Sequence, residues 1–484
     1  MRARWSLPIF FLIAALSGAQ AAPATSEGAE VIERNYVDYF GKAVVDKGLV
    51  SVTPSGEDYV VSWNLQKVID LANNADLSVR VDPLVYKLTP RDGGWTVTAD
   101  HLPSLTIDMP TDKGRLNGAV DFSGFHIETL FDAGRQEFLR SVAAADALTM
   151  KFNVADPTQR ADIDLVESGL TTETRARTSD SGAGVDIAIA ESAAHLTETV
   201  VSTPSDSQTA PTKLAYDVAR LGGQFAITGL RAREIADLWK YVLAHIQDAQ
   251  APPDLKQRVQ AILPMWNEIH ADAEMHDLVL KTPFFDTQLK TLGETASLTG
   301  FTGEAAAEVS VKIEDLAFKS TMLPDWADQL SPVSLTLGLR VADRGLDKVA
   351  ELALADPHFG DKGDLSPETQ DKIDEVLLAG DPKLVLAPSR LKTPFLDLAI
   401  EGEAAIEAGA PKGRFTVSAD GLDKTIALLG QIAKSEPDAQ SVALGIALVK
   451  GLATTGPDGR LQWKVEVSSS GDVTINGTPL PTGK

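Results

Sequence analysis

The chain has 484 residues, of which 44% are hydrophobic and 23% charged, and its formal net charge is -24. These proportions are typical of a globular protein and exclude a disordered one. An acidic surface disfavours binding to nucleic acid or to anionic lipid, because both require a basic patch. The absence of cysteine excludes thiol catalysis, thiolate zinc sites and iron–sulfur clusters. The length predicts roughly two to four domains, or one elongated body built from repeats.

The N-terminus has the pattern of a secretory signal peptide over residues 1–21. Arg2 and Arg4 precede an apolar run over 7–16, and Ala19 and Ala21 stand in the A-x-A relation that signal peptidase recognises. The run covers about 10 residues, whereas a bilayer crossing needs ~20, so a retained membrane anchor is the less favoured alternative. We therefore expect cleavage after Ala21 and an exported, periplasmic protein with no integral membrane segment.

The residues after the signal peptide predict a β-rich N-terminal part. We expect a flexible leader over 23–30 and a short helix over 31–45. Alternation of polar and apolar residues predicts strands over 49–61, 93–99, 102–109 and 118–125. A second helix is predicted over 127–145. The side chains that can share one helical face there are Leu130, Phe131, Phe138 and Val142.

Two polar segments, 179–184 and 202–212, interrupt the strands that follow. The second segment is either a hairpin loop or a linker between domains. We place a domain boundary at its end. This predicts an N-terminal β-rich domain over 22–212 and a C-terminal domain over 213–484.

A strand over 224–228 precedes two segments with helical periodicity, separated by Pro252 and Pro253. The apolar positions of the first are Ile235, Leu238, Trp239, Val242, Leu243 and Ile246, and those of the second are Leu255, Val259, Ile262, Leu263 and Trp266. Trp239 and Trp266 would then lie on the facing sides of a helix pair. Large aromatic residues at helical spacing usually pack in a core, and the alternative is that both line a groove for an apolar ligand.

Two short sequences occur twice in the C-terminal half. Gly-Leu-Asp-Lys stands at 345–348 and at 421–424, each time between a predicted strand and a predicted helix pair. Leu-Lys-Thr-Pro-Phe-Phe-Asp at 280–286 differs in one position from the sequence at 391–397. We interpret these matches as an internal repeat, with chance recurrence as the alternative. The fold class predicted is α+β: a mainly antiparallel, twisted β-sheet covered by amphipathic helix hairpins, in internally repeated, elongated modules.

The sequence contains no motif for a known type of catalysis or cofactor binding. It has no nucleophile elbow, no Walker loop, no dinucleotide-binding glycine motif, no H-E-x-x-H and no EF-hand loop. We therefore expect no cofactor and favour a protein that is not an enzyme. A pair of catalytic carboxylates would leave no local signature, so carboxylate-dependent hydrolysis stays open.

One segment contains side chains that could bind a metal. On a strand, His270, Asp272, Glu274 and His276 would project from one face, and imidazoles and carboxylates are suitable ligands for a divalent ion. Such neighbours lie ~7 Å apart, so four cannot easily converge on one ion. The favoured interpretation is the solvent face of a half-buried strand.

The last third of the chain contains five turn-rich segments, at 384–388, 398–406, 413–417, 421–422 and 458–461. These segments resemble a family of exported proteins from Gram-negative bacteria. The family is catalogued as domain of unknown function 2125, and there is a fainter similarity to the strand repeats of AsmA-like periplasmic proteins. The resemblance implies a periplasmic, β-rich protein, and it implies no catalytic residues.

These observations favour a non-catalytic periplasmic binding or scaffold protein, whose ligand would be apolar or lipid-like. The first alternative is an envelope module that binds another protein through strand edges or helix faces. The second is a metal- or carboxylate-dependent hydrolase. The partner is thus expected to be an apolar ligand or an envelope protein, and not a nucleic acid.

Overall fold

The computed structural model describes residues 23–71, 78–111, 114–133, 137–180, 184–205, 209–245, 254–300, 305–323, 326–343, 345–359, 365–379, 383–407, 410–434 and 436–479. It is mostly antiparallel β-sheet with several helices, which confirms the α+β class. The predicted signal peptide lies outside the described residues, as does the Pro252-Pro253 break. None of the described helices is both long and apolar enough to cross a membrane.

The described residues divide into two compact units. Of the described residues, unit 1 comprises those up to Thr178 and those of Asp186–Phe225 and Met275–Pro283, and unit 2 comprises those of Ser179–Val185 and Ala226–Glu274 and those from Phe284 onward. The boundary expected at 212–213 falls at the start of a strand, Thr212–Leu230. Its position as a domain limit stays a prediction.

The elements up to residue 230 are three helices and thirteen strands within the described ranges. The helices are α1 Ser26–Phe40, α2 Ala43–Asp46 and α3 Leu65–Leu71. The strands are β1 Val50–Ser55, β2 Asp58–Trp63, β3 Ser78–Val81, β4 Leu84–Arg91, β5 Gly94–Ala99, β6 Leu105–Thr111, β7 Gly114–Ser123, β8 His126–Asp132, β9 Glu137–Ala155, β10 Gln159–Thr178, β11 Val185–Ala193, β12 His195–Pro204 and β13 Thr212–Leu230. Antiparallel pairing joins β1, β2, β4, β5, β8, β9, β10, β12 and β13 in that order.

Helix α1 covers the first strands of unit 1 and begins earlier than predicted. The Thr25 hydroxyl caps the helix by accepting a 3.0 Å hydrogen bond from the backbone N–H of Gly28. Ile32 and Tyr36 on its inner face are buried in one core with Val61 and Phe131. The expectation of a flexible leader over 23–30 is therefore wrong, because the cap and this core order the segment from Ser26 onward.

The predicted helix over 127–145 is also wrong, because this segment forms β8 and β9. Ile127, Thr129 and Phe131 are buried and alternate with more exposed neighbours. The β8 strand pairs with β5 on one side and β9 on the other, and these ladders satisfy its backbone groups. The hydroxyls of Thr129 and Ser141 meet at 2.7 Å across β8 and β9.

The described ends of the polar segment 202–212 belong to two paired antiparallel strands, which supports a hairpin, the first of the two alternatives. Ser202 of β12 pairs with Thr212 of β13, and the ladder continues to Leu196 and Val218.

The described elements after residue 230 are six α-helices, a 3₁₀ turn at Ala327–Gln329 and twelve strands. The helices are α4 Ala232–Ala244, α5 Leu255–Ile262, α6 Leu346–Ala355, α7 Pro367–Ala379, α8 Leu422–Ile432 and α9 Pro437–Gly451. The strands are β14 Glu268–Lys281, β15 Phe285–Thr299, β16 Ala305–Glu314, β17 Ala317–Ser320, β18 Ser334–Asp343, β19 Lys383–Lys392, β20 Asp397–Glu407, β21 Ala410–Asp420, β22 Thr454–Thr455, β23 Leu461–Val467, β24 Val473–Ile475 and β25 Thr478–Pro479. Antiparallel pairing joins β15, β16, β18, β19, β20, β21, β23, β24 and β25 in that order.

Candidate functional site

One face of the unit 2 sheet is apolar across eight neighbouring strands. Residues that pair directly across an antiparallel ladder project from the same face. The register therefore aligns one row across the sheet, which consists of Ala296, Val309, Leu339, Leu386, Gly402, Phe415, Val465 and Ile475. With strands spaced ~4.8 Å apart, this row spans roughly 34 Å.

Helices α8 and α9 cover one end of this apolar face. Leu422 of α8 and Ile446 of α9 pack in a core with Ala419 of β21 and Trp463 of β23. The indole N–H of Trp463 donates a hydrogen bond to the carbonyl of Val449, which fixes α9 over β23.

The other end of the face is exposed, and we give the name apolar strip to the six large aliphatic side chains that are exposed there among the described residues. They are Leu298 of β15, Val309 of β16, Leu337, Leu339 and Val341 of β18, and Leu384 of β19. Val309 retains 50% of its accessible surface. The strip crosses four strands, or about 14 Å, and extends about 14 Å along β18. It is therefore a contiguous aliphatic surface rather than a set of scattered exposed residues.

The opposite face of the same strands is polar. The hydroxyls of Thr295 and Ser310 meet at 2.7 Å across β15 and β16, and Lys312 pairs with Glu314 at 2.8 Å. Strict alternation along β16 and β18 therefore sorts apolar and polar side chains onto two faces, as expected for a sheet with one face in water. Here the apolar face, too, is exposed over four strands.

Of the two predicted tryptophans, only Trp239 lies on a helix, and it is not buried. Trp239 lies on α4 but is 58% exposed, so its interpretation as core packing is wrong. Trp266 is not on a helix, because α5 ends at Ile262, just before Pro264, whose ring disfavours continued helix. The backbone carbonyl of Trp266 instead lies against Gly300. A ligand groove formed by these two residues stays a prediction.

The four candidate metal ligands lie on β14, as predicted. His270 and Asp272 approach each other, with 3.9 Å between Nε2 and Oδ2. Within the described ranges, no group of three or more His, Cys, Asp and Glu side chains is close enough to hold a metal ion. His270, Asp272, Glu274 and His276 as a metal site therefore stay a prediction.

A concave region, separate from the apolar strip, lies on the polar face of β20, β21 and β23. It is a cleft of about 300 Å³ whose polar lining comes from Glu401, Thr416, Ser418, Asp458 and Gln462. This volume is at the lower end of the range for small-molecule sites.

An ion-pair network links β19 and β20 to the segment before β23. Arg390 Nε donates to Asp397 at 2.7 Å, and Arg460 Nη2 approaches the same carboxylate at 3.2 Å. The hydrogen bond from Arg390, helped by Arg460, lowers the pKa of Asp397 to about 2. The Asp397 carboxylate accepts hydrogen bonds from both guanidinium groups. This arrangement favours a structural role for Asp397 over acid–base chemistry.

The sequence contains a signal for the apolar strip in the alternation of its strands. Val309 and Val311 alternate with Ser310 and Lys312, and β18 alternates in the same way. This pattern identifies an apolar face but does not show whether a helix covers it.

Comparison with known protein families, with curated protein sequences and with solved structures finds no match to this chain.

Proposed function

We propose that this chain is a non-catalytic binding protein that holds an apolar or lipid-like ligand on the apolar strip. The observation that supports this is the exposure of six large aliphatic side chains on four adjacent strands. Contiguous apolar surface on a soluble protein usually marks a binding site, because leaving it in water is unfavourable by about 25 cal/mol per Å².

The continuity of the apolar face favours a ligand that is itself apolar along its length. Beyond Leu384, the same face continues through Ala404 and Leu398 toward the core under α8 and α9. A flexible aliphatic chain placed on the strip would replace water with aliphatic contacts and would leave the polar face of the sheet untouched.

The proposal also includes the location of the protein in the periplasm, its family and the internal repeat of its fold. The N-terminal sequence supports export to the periplasm, and the C-terminal segments support membership of the exported family catalogued as domain of unknown function 2125. The two Gly-Leu-Asp-Lys copies lie at the starts of α6 and α8, and the two Leu-Lys-Thr-Pro-Phe copies join β14 to β15 and β19 to β20. These equivalent positions support repeated modules of strands and helix pairs.

The first test is mass spectrometry of the protein purified without detergent, in the native state and after solvent extraction. A stoichiometric lipid or other apolar molecule is expected in the native species and in the extract. A protein that carries no ligand, and that also fails to bind the neutral apolar dye Nile red, would contradict the proposal.

A matched pair of variants locates the site. Leu339→Ser removes an aliphatic side chain from the centre of the strip, whereas Arg340→Ser changes the next residue, which projects from the polar face. Loss of about 1.4 kcal/mol of apolar contact should weaken Nile red binding roughly tenfold in Leu339→Ser. Arg340→Ser should bind as the wild type does. Equal weakening by both variants would place the dye elsewhere.

A second candidate function is an envelope module that binds another protein. It is favoured by α9, whose outer face exposes Val442, Leu444, Leu448 and Val449, with Leu448 74% exposed. A photo-crosslinking residue at position 448 should then capture one defined partner in cells, and the same residue at exposed Lys412 of β21 should not. Identical crosslinking patterns from the two positions would remove this candidate.

A further inference from the structure

A carboxylate interrupts the apolar face beside the strip. Glu294 of β15 pairs directly with Val311 of β16, so the two side chains share a face. The hydroxyl contact between Thr295 and Ser310 confirms that the next pair projects from the opposite side. Glu294 therefore stands on the apolar face, with Leu292 and Ala296 as its same-face neighbours along β15.

No cation among the described residues pairs with this carboxylate. The Glu294 side chain is exposed and makes no hydrogen bond or ion pair with the described part of the chain. Lys312 follows Val311 on β16, but its side chain projects from the polar face and pairs with Glu314. Lys290 and Asp286 lie on the same face of β15, further along the strand from the strip. A carboxylate directly opposite Val311 departs from the apolar pattern of this face of β16, and such departures are expected at functional sites.

The position of Glu294 limits which ligands fit. Glu294 lies two residues from Ala296 and four from Leu298, or about 14 Å from the latter along the strand. A wholly apolar ligand that covered this region would remove water from the carboxylate without replacing its hydrogen bonds, which is unfavourable. A ligand with a cationic group at one end would pair with Glu294 and leave its apolar chain on the strip.

We propose, on the basis of the function proposed above, that the ligand is a single-chain amphiphile with a protonated amine head group. The ammonium group pairs with Glu294, and the chain lies across Val309, Leu339 and Leu384. The net charge of -24 adds a long-range attraction for any cation. A test must therefore separate this local pair from the overall field.

The test uses three amphiphiles with the same twelve-carbon chain: dodecylamine, neutral dodecyl maltoside and anionic dodecyl sulfate. Each displaces Nile red from the purified protein at pH 7, in about 0.15 M salt to screen distant charges, below its micelle concentration. Dodecylamine should bind roughly two- to fivefold more tightly than dodecyl maltoside, as expected for one exposed ion pair. Dodecyl sulfate should bind most weakly.

Two variants with the same change in net charge test whether Glu294 causes the preference for the cationic amphiphile. Glu294→Gln should abolish the preference for dodecylamine over dodecyl maltoside and keep the binding of the neutral amphiphile. Glu308→Gln, on the polar face of β16, should keep the preference. Both residues are exposed, so both variants should fold, which circular dichroism checks.

The outcomes separate the two proposals. Equal binding of the three amphiphiles, or equal effects of the two variants, would overturn the head-group inference while the apolar strip remains a binding site. Failure of every amphiphile to displace the dye would overturn the proposed function, and the head-group inference with it.

Discussion

Trp463 and Val449 join the sheet of unit 2 to its last helix, through a 2.8 Å hydrogen bond from the indole Nε1 to the backbone carbonyl. The Trp463 side chain is buried in the core that α8 and α9 form over β21 and β23. This contact holds α9 against the part of the apolar face that is not exposed. It thus helps to determine where the covered part of the face ends and the apolar strip begins.

Replacement of Trp463 by phenylalanine should loosen α9. The variant keeps an aromatic ring in the core but removes the donor to the Val449 carbonyl, at a cost of about 1–2 kcal/mol. Hydrogen exchange of residues 437–451, followed by mass spectrometry, should become correspondingly faster. Trp239→Phe, at an exposed position, is the control and should leave this exchange unchanged. Unchanged exchange in Trp463→Phe would show that the bond does not hold the helix.

The buried tyrosine pair in unit 1 predicts a loss of stability at alkaline pH. The hydroxyls of Tyr36 and Tyr86 meet at 2.7 Å, and Trp63 Nε1 donates to Tyr86 at 3.2 Å. Burial raises the pKa of Tyr86 to about 12 and the pKa of Tyr36 well above its usual value. The unfolded chain therefore releases these protons first, near pH 10. Stability from this pair is present below about pH 10 and should fall between about pH 10 and 12.

The loss can be measured as the free energy of unfolding of unit 1 in urea between pH 8 and 12, with tryptophan fluorescence or hydrogen exchange as the readout. Tyr86→Phe should have a shallower pH dependence, because one buried hydroxyl no longer titrates. The same slope in the variant would assign the alkaline transition to other groups.

Gly421, which precedes α8, should not tolerate a side chain. Its φ is +86°, and a Cβ there would lie 1.9 Å from the carbonyl oxygen of Phe395. Gly421→Ala should destabilise the α8 region by at least about 2 kcal/mol. Gly430→Ala, inside α8, adds a Cβ with no atom within 4 Å other than its chain neighbours and the nearby backbone of its own helix. It should stabilise the helix by about 0.5–1 kcal/mol. Opposite shifts in the hydrogen exchange of residues 422–432 would confirm both effects, and shifts of the same sign would contradict them.

The Asp397 network predicts a loss of stability at acid pH. The pKa of Asp397 is lowered to about 2, whereas an aspartate in an unfolded chain titrates near ~3.9. The stabilisation is therefore present above about pH 4 and lost as the pH falls toward 2. For a side chain that is 24% exposed, roughly 1–2 kcal/mol is expected after allowance for solvent screening.

Acid unfolding of Asp397→Asn tests this prediction. The variant should be less stable than the wild type at pH 7, and the difference should shrink below pH 4. Glu466→Gln is the control, because its contact with Arg414 is long, at 3.8 Å, and exposed. If the control lost as much stability as Asp397→Asn, the two-arginine geometry would not be the cause.

Part of the fold could be read from local pattern. The α+β class and the N-terminal helix follow from apolar periodicity and turn residues, which act over a few residues. The helix predicted over 127–145 failed because Leu130, Phe131, Phe138 and Val142 fit a helical spacing by chance. Ladders to β5 and β10 supply hydrogen bonds to this segment, and they come from residues distant in sequence.

The sequence by itself determined which side chains of β15, β16, β18 and β19 share an apolar face, because a strand alternates strictly. Only the tertiary structure decided that α8 and α9 cover this face over β21 and β23 and leave Val309, Leu339 and Leu384 exposed. The strand register, which is also part of the tertiary structure, pairs Glu294 with Val311. Lys312 projects from the other face of the sheet. Burial and register depend on which elements distant in sequence pack together, and the local sequence pattern does not specify this packing.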